Sequence, residues 1–156
     1  YARYTEEGVA YVDNMQRLRR KFETAKALVP APEIRKAGKP TRSGIVWFGS
    51  TSAAMAESLA ALELEGIYLD RMRLRGFPFA DSVADFIAAH DRVFVVEQNR
   101  DAQMKALLVN ECGIDPARLV PILHYDGTPI TARFIANAIG ERLDALKVTP
   151  LRKVVS

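Results

Sequence analysis

The stretch Glu97-Gln98-Asn99-Arg100-Asp101-Ala102-Gln103 holds the residue types nearest to chemistry in this sequence. It follows Val93-Phe94-Val95-Val96, an apolar run with three β-branched residues that predicts a buried strand. A carboxylate at the end of such a strand suits a general base. Arg100 suits an anion clamp, and Asn99 and Gln103 offer amide contacts. Open α/β sheets place ligands at the carboxyl ends of their parallel strands. The same residues also suit plain architecture. Asn99 is a helix cap, Asp101 favours the positive end of a helix dipole, and Glu97 pairs with Arg100 or with a neighbouring chain.

A second corner of this kind is Trp47-Phe48-Gly49-Ser50-Thr51-Ser52. A strand ends, Gly49 permits a tight turn, and hydroxyl residues open a helix whose N-terminus would attract an anion. The pattern lacks the further glycines of a dinucleotide fingerprint and the lysine of a phosphate-binding loop. The plainer reading is that Ser50 or Thr51 caps the helix. Gly49, Ser50, Thr51, Glu97, Asn99, Arg100 and Gln103 are therefore the candidate contact residues at one end of the sheet. None is assigned a catalytic role. A phosphoacceptor receiver domain would need an acidic pair after its first strand, and here that strand ends in Phe-Gly-Ser-Thr. His90, near a helix end, and His124, at a strand end, have no nucleophile elbow around them and read as structural. Cys112 has no Cys-x-x-Cys partner and reads as core. Two histidines and one cysteine, far apart, leave little for a metal site.

The elements that must position these residues follow from periodicity. Tyr11, Met15, Leu18, Phe22, Ala25 and Val29 recur at helical spacing and predict a long helix over 5–29, capped by Thr5, with Arg17, Arg20, Lys21 and Lys26 opposite. Such a stripe needs cover from the following domain or from another subunit. Residues 30–43 read as a basic, proline-containing linker with a short edge strand at Glu33–Lys36. From residue 44 strands and helices alternate: strands at 45–48, 67–74, 93–96 and 118–123, and helices at 51–64, 81–90, 101–112 and 131–146. Short connections between them imply a mostly parallel sheet covered on both faces. The charges within 67–74 place that strand towards an edge. The division is then 1–43 for helix and linker, 44–150 for the α/β domain, and 151–156 for a tail.

Composition narrows the class. The chain has 156 residues, 49% of them hydrophobic, and suits one domain with a sizeable core. No apolar run is long enough to cross a membrane, and no secretory signal opens the chain. With a single cysteine, the expectation is a cytoplasmic protein. Of 22 Lys and Arg, ten fall in residues 1–43 against five acids, so the net charge of +3 belongs to the N-terminal stretch. No aromatic residues interleave with these cations as a nucleic-acid platform requires, and nucleic acid is not expected as a partner. The chain opens at Tyr1 in a polar stretch without a methionine, as an excised piece of a longer protein, a proteolysed chain or one with a trimmed tag would.

The runs VFVVEQNRDAQMKALL and HYDGTPITARFIANAI resemble the C-terminal part of the alpha subunit of 2-oxoacid:ferredoxin oxidoreductases, the 2-oxoglutarate type most nearly. YARYTEEGVAYVDNMQRLRRKFETAKALVP is similar to the helical stretch joining that subunit's two domains, and IVWFGSTSAAMAESLAAL to the domain's first strand–turn–helix. The resemblance implies a transketolase C-terminal-like fold: a three-layer α/β/α sandwich on a five-stranded, mostly parallel sheet with one antiparallel edge strand, preceded by the long helix. It implies a parent enzyme that decarboxylates a 2-oxoacid on thiamine diphosphate with Mg, passes the acyl group to coenzyme A, and sends electrons through iron–sulfur clusters to ferredoxin. In that family the domain equivalent to this chain holds none of these cofactors. Its implied partners are the other alpha-subunit domains, the beta subunit and further copies of itself. The alternative is a free-standing small-molecule or nucleotide-binding α/β domain.

Overall fold

The computed structural model describes residues 4–148; Tyr1 and the expected tail at 151–156 lie outside them. In chain order the elements are α1 (Gly8–Lys26), β1 (Glu33–Arg35), β2 (Ser43–Phe48), a 3-10 turn (Gly49–Thr51), α2 (Ser52–Leu64), β3 (Asp70–Leu74), α3 (Asp81–Ala88), β4 (Arg92–Glu97), α4 (Gln103–Cys112), a second 3-10 turn (Pro116–Arg118), β5 (Leu119–Leu123) and α5 (Ala132–Val148). The five strands form one sheet in the order β1-β3-β2-β4-β5. The pairs β2–β3, β2–β4 and β4–β5 are parallel, and only β1 runs antiparallel, against β3.

The apolar runs of β2 and β4 are central because both their faces are covered. On one face Ile45, Phe94, Val96 and Ile122 pack against Met55, Leu59 and Leu62 of α2 and Ile135 and Ile139 of α5. On the other, Val46, Met72, Val93 and Val95 meet Val83, Phe86 and Ile87 of α3 and Leu108 of α4. The expected edge strand at Glu33–Lys36 is present as Glu33–Arg35, and the charged strand at 70–74 is its neighbour, one position in from the edge. Arg71 and Arg73 point to one face, and Met72 and Leu74 are buried in the other.

The first helix departs from expectation. It spans Gly8–Lys26, not 5–29, and its N-cap is Glu7 without a side-chain cap. Thr5 does not cap it: its hydroxyl accepts the Glu7 N–H in the turn before the helix. Gly8, with the poorest helix propensity after proline, marks the first helical residue. No residue of α1 is buried. Tyr11, Met15 and Phe22 stand 62%, 44% and 54% exposed. Its C-terminal end approaches the body through the edge-on ring pair Phe22–Phe77 and a 3.9 Å approach of Lys26 to Asp81.

Candidate functional site

Strand order reverses direction at β2: the chain leaves it for β3 on one side, then crosses to β4 on the other. The loops after β2 and β4 therefore diverge, and a crevice opens between them at the carboxyl end of the sheet. A cleft of about 460 Å³ lies there. The structure brings together Gly49, Ser50 and Thr51 from the first loop with Asn99 and Gln103 from the second. Phe48, Met104 and Leu107 supply its apolar lining.

Two of the residues picked from the sequence are not in it. Glu97 is fully buried and does not line the cleft. Its carboxylate accepts the Met104 N–H at 2.7 Å, the Lys105 N–H at 3.0 Å and the Asn99 side-chain amide at 2.8 Å. It thus closes the N-terminus of α4, where free N–H groups and the helix dipole favour an anion. This geometry does not offer Glu97 as a base, and Glu97 does not pair with Arg100. Arg100 is exposed, and its Nε donates to its neighbour Asp101 at 2.7 Å. Asn99 is not the N-cap residue, which is Ala102; from the turn before it, Asn99 Oδ1 accepts the N–H groups of Asp101 and of Gln103, the first helical residue. The residue before α4, Ala102, sits at φ 51°, the left-handed region that alanine rarely enters. That turn aims the first helical N–H groups back at Glu97.

Gln98 is the residue that sequence reasoning missed. Its amide nitrogen donates to Ser50 Oγ at 3.0 Å and Thr51 Oγ1 at 3.2 Å, and its Oε1 accepts the Ile130 N–H at 3.5 Å. One side chain thereby ties together the loops after β2, β4 and β5. The Ser50 and Thr51 hydroxyls are engaged by Gln98, not by capping α2, which has no side-chain cap. No sequence signal marks Gln98 beyond its place after a strand.

The cleft's lining contains no carboxylate, lysine or arginine. Its polar groups are the hydroxyls of Ser50 and Thr51 and the amides of Gln98, Asn99 and Gln103, all neutral donors and acceptors. Among the described residues no cluster of three His, Cys, Asp or Glu is placed to hold a metal. No described helix is long and apolar enough to cross a membrane.

The histidines and the cysteine sit elsewhere. His90 is buried, with Nδ1 2.7 Å from the Phe86 carbonyl oxygen and Nε2 3.0 Å from Asp70. Asp70, also buried, accepts Lys36 Nζ at 2.7 Å and the Ala37 N–H at 2.8 Å. Burial pushes its pKa up, but Lys36, the Ala37 N–H and His90 outweigh burial and hold it below the usual carboxylate range. The cluster fastens the segment after β1 to the sheet. Gly44 is needed beside it, since a Cβ there would lie 2.9 Å from the Phe86 ring. His124 Nε2 lies 2.9 Å from the Thr128 carbonyl oxygen, to which it donates, and 3.1 Å from Asp126. Asp126 is lowered chiefly by the Thr128 hydroxyl and N–H, which both donate to it. Cys112 is half-buried, and burial followed by the nearby Glu111 pushes its thiol up, which suits an inert cysteine.

Similar architecture occurs in solved structures. A 2-oxoglutarate:ferredoxin oxidoreductase from Magnetococcus marinus, with 2-oxoglutarate, coenzyme A and succinyl-CoA bound, superposes with TM-score 0.76 over 89% of this chain at 21% identity. A split-gene transketolase, an inactive beta4 tetramer, matches 72% of the chain and 42% of its own, with TM-score 0.57 and 17% identity. This is the transketolase C-terminal-like fold. The five-stranded, mostly parallel sheet and the long leading helix meet the expectation for it. The chain spans 24% of the length of the oxidoreductase chain it matches. The alpha chain of a probable 2-oxoacid ferredoxin oxidoreductase from Thermoplasma acidophilum matches 73% of this chain and 97% of its own at 25% identity, with TM-score 0.48. No family model and no curated protein matches the chain.

Proposed function

We propose that this transketolase C-terminal-like unit is a non-catalytic, subunit-association domain of a 2-oxoacid:ferredoxin oxidoreductase alpha subunit. The parent enzyme would use thiamine diphosphate, Mg and iron–sulfur clusters to decarboxylate a 2-oxoacid and form an acyl-CoA. The observation that carries the reading is α1: an apolar stripe with no buried residue, beside a body that has its own buried clusters on both faces of the sheet. Contiguous exposed apolar surface of this kind marks a protein contact. The partners would be the other alpha-subunit domains, the beta subunit and further copies of the chain, with residues 1–43 as the arm that reaches them. The cleft supports the same reading, because Gln98, Ser50, Thr51 and Asn99 hydrogen-bond within its own loops and its lining is uncharged. Its candidate contacts Gly49, Ser50, Asn99 and Gln103 would then meet a neighbouring protein surface.

The test is thermal unfolding with thiamine diphosphate and Mg²⁺ added. A ligand that binds only the native state must raise its melting temperature. The reading predicts no shift, and a clear upward shift would contradict it. A second reading, a free-standing nucleotide-binding domain, is favoured by one observation: the cleft occupies the switch point where such domains hold ligands. It predicts heat on calorimetric titration with adenine nucleotides, where the first reading predicts none.

A further inference from the structure

On the face shared with α2 and α5, the sheet is only partly covered. No residue of β1 or β3 belongs to the apolar cluster beneath those helices. The register instead sets Arg35 opposite Arg71 and Glu33 opposite Arg73, with Trp47 of β2 on the far side of Arg73. These residues and Met55 and Leu59 of α2 line a cavity of about 220 Å³. One side of its lining is apolar and aromatic, from Trp47, Met55 and Leu59, and the other carries three guanidinium groups, of Arg35, Arg71 and Arg73, beside the single carboxylate of Glu33.

The guanidinium groups are not saturated by the protein. Arg71 pairs with Glu63, and Arg73 reaches Glu33 only at 3.7 Å, sharing it with Arg75 at 3.3 Å. The Nε atoms of both Arg71 and Arg73 are buried and have no hydrogen-bond acceptor. Buried donors are expected to be satisfied, so each carries a desolvation penalty that an acceptor would relieve. Arg35 has no carboxylate partner among the described residues. Arginine forks match planar anions better than any other side chain does.

We infer that this cavity binds a small organic anion: a carboxylate carried on a compact apolar or aromatic body. The body would lie against Trp47, Met55 and Leu59, and the carboxylate would accept from Arg71, Arg73 and Arg35. The volume lies below the ~300 Å³ at which drug-sized pockets begin, so the ligand is small. The inference uses neither the switch-point cleft nor α1 and stands apart from the subunit-association reading.

Trp47 is the only tryptophan in the chain, so its fluorescence reports on this cavity alone. Benzoate is the probe, with benzyl alcohol as its neutral analogue and inorganic phosphate as the anion without an apolar body. Benzoate should change Trp47 emission saturably, with a Kd of about 1 mM or tighter. Benzyl alcohol and phosphate should bind at least about tenfold more weakly. Arg73→Gln should weaken benzoate about tenfold. Arg35→Gln, at an exposed position where folding is not at risk, should weaken it about threefold. No saturable response to benzoate, equal binding of either comparison probe, or unchanged binding in a folded Arg35→Gln, Arg73→Gln double variant would each overturn the inference.

Discussion

Helices α1 and α5 read alike in the sequence and end differently in the structure. Each carries apolar residues three and four apart with cations between them. In α5 the stripe disappears: Ile135 and Ile139 are fully buried between the sheet and α2. In α1 no residue is buried. An amphipathic pattern thus states that a face requires cover, and the sheet decides whether the chain itself supplies it. The four helices after β2 each follow a strand of the sheet and fold back onto it. Helix α1 precedes a three-residue edge strand, meets the body through Phe22 near its end, and buries no residue.

The contrast predicts unequal costs. Ile135→Ala should destabilise the protein by about 2–5 kcal/mol, a fall in Tm on the order of 10 °C. Met15→Ala in dilute solution should stay within about 0.5 kcal/mol. Equal losses in thermal melts would mean that α1 is covered by the body after all. Next in size is the loop end of the sheet. Glu97→Ala leaves three donors without their acceptor and should cost about 2–3 kcal/mol, with faster hydrogen exchange at Met104 and Lys105. Arg100→Gln should change stability by less than about 0.5 kcal/mol. The reverse order would return Arg100 to a structural or binding role.

Asp70 gives the pH dependence of the body. Its folded pKa is lowered, so its contribution is present above the unfolded carboxylate value near ~3.9 and is lost as pH falls through the folded value. Asp70→Asn should therefore be less stable by about 1–3 kcal/mol at neutral pH, with the gap closing in acid. Denaturant melts at several pH values that show a constant gap would remove this account. The smallest effect is at Ala102: replacement by glycine relieves the left-handed strain but loosens the unfolded chain, for a net gain below about 1 kcal/mol.

The layers of the fold were legible because strand and helix periods differ. The unbroken apolar runs at 45–48 and 93–96 mark central strands, and the alternation of Met72 and Leu74 with Arg71 and Arg73 marks one near the edge. The candidate site was legible only in its location. Gln98 meets Ser50 and Thr51, 48 and 47 residues away, and nothing in a local pattern announces that contact. The true role of Glu97 depends on Ala102 entering a conformation that its residue type disfavours. The arginine-lined cavity depends on the antiparallel register that sets Arg35 beside Arg71, which only the folded sheet fixes.

The account stands or falls on whether α1 is covered by protein. Sedimentation velocity of the whole chain and of Met15→Asp tests this, with circular dichroism melts as the check on folding. The account predicts a self-associated wild type, and a variant that sediments as a monomer while melting almost as the wild type does in dilute solution. A wild type that remains monomeric at every concentration, with α1 helical and the variant indistinguishable from it, would contradict it.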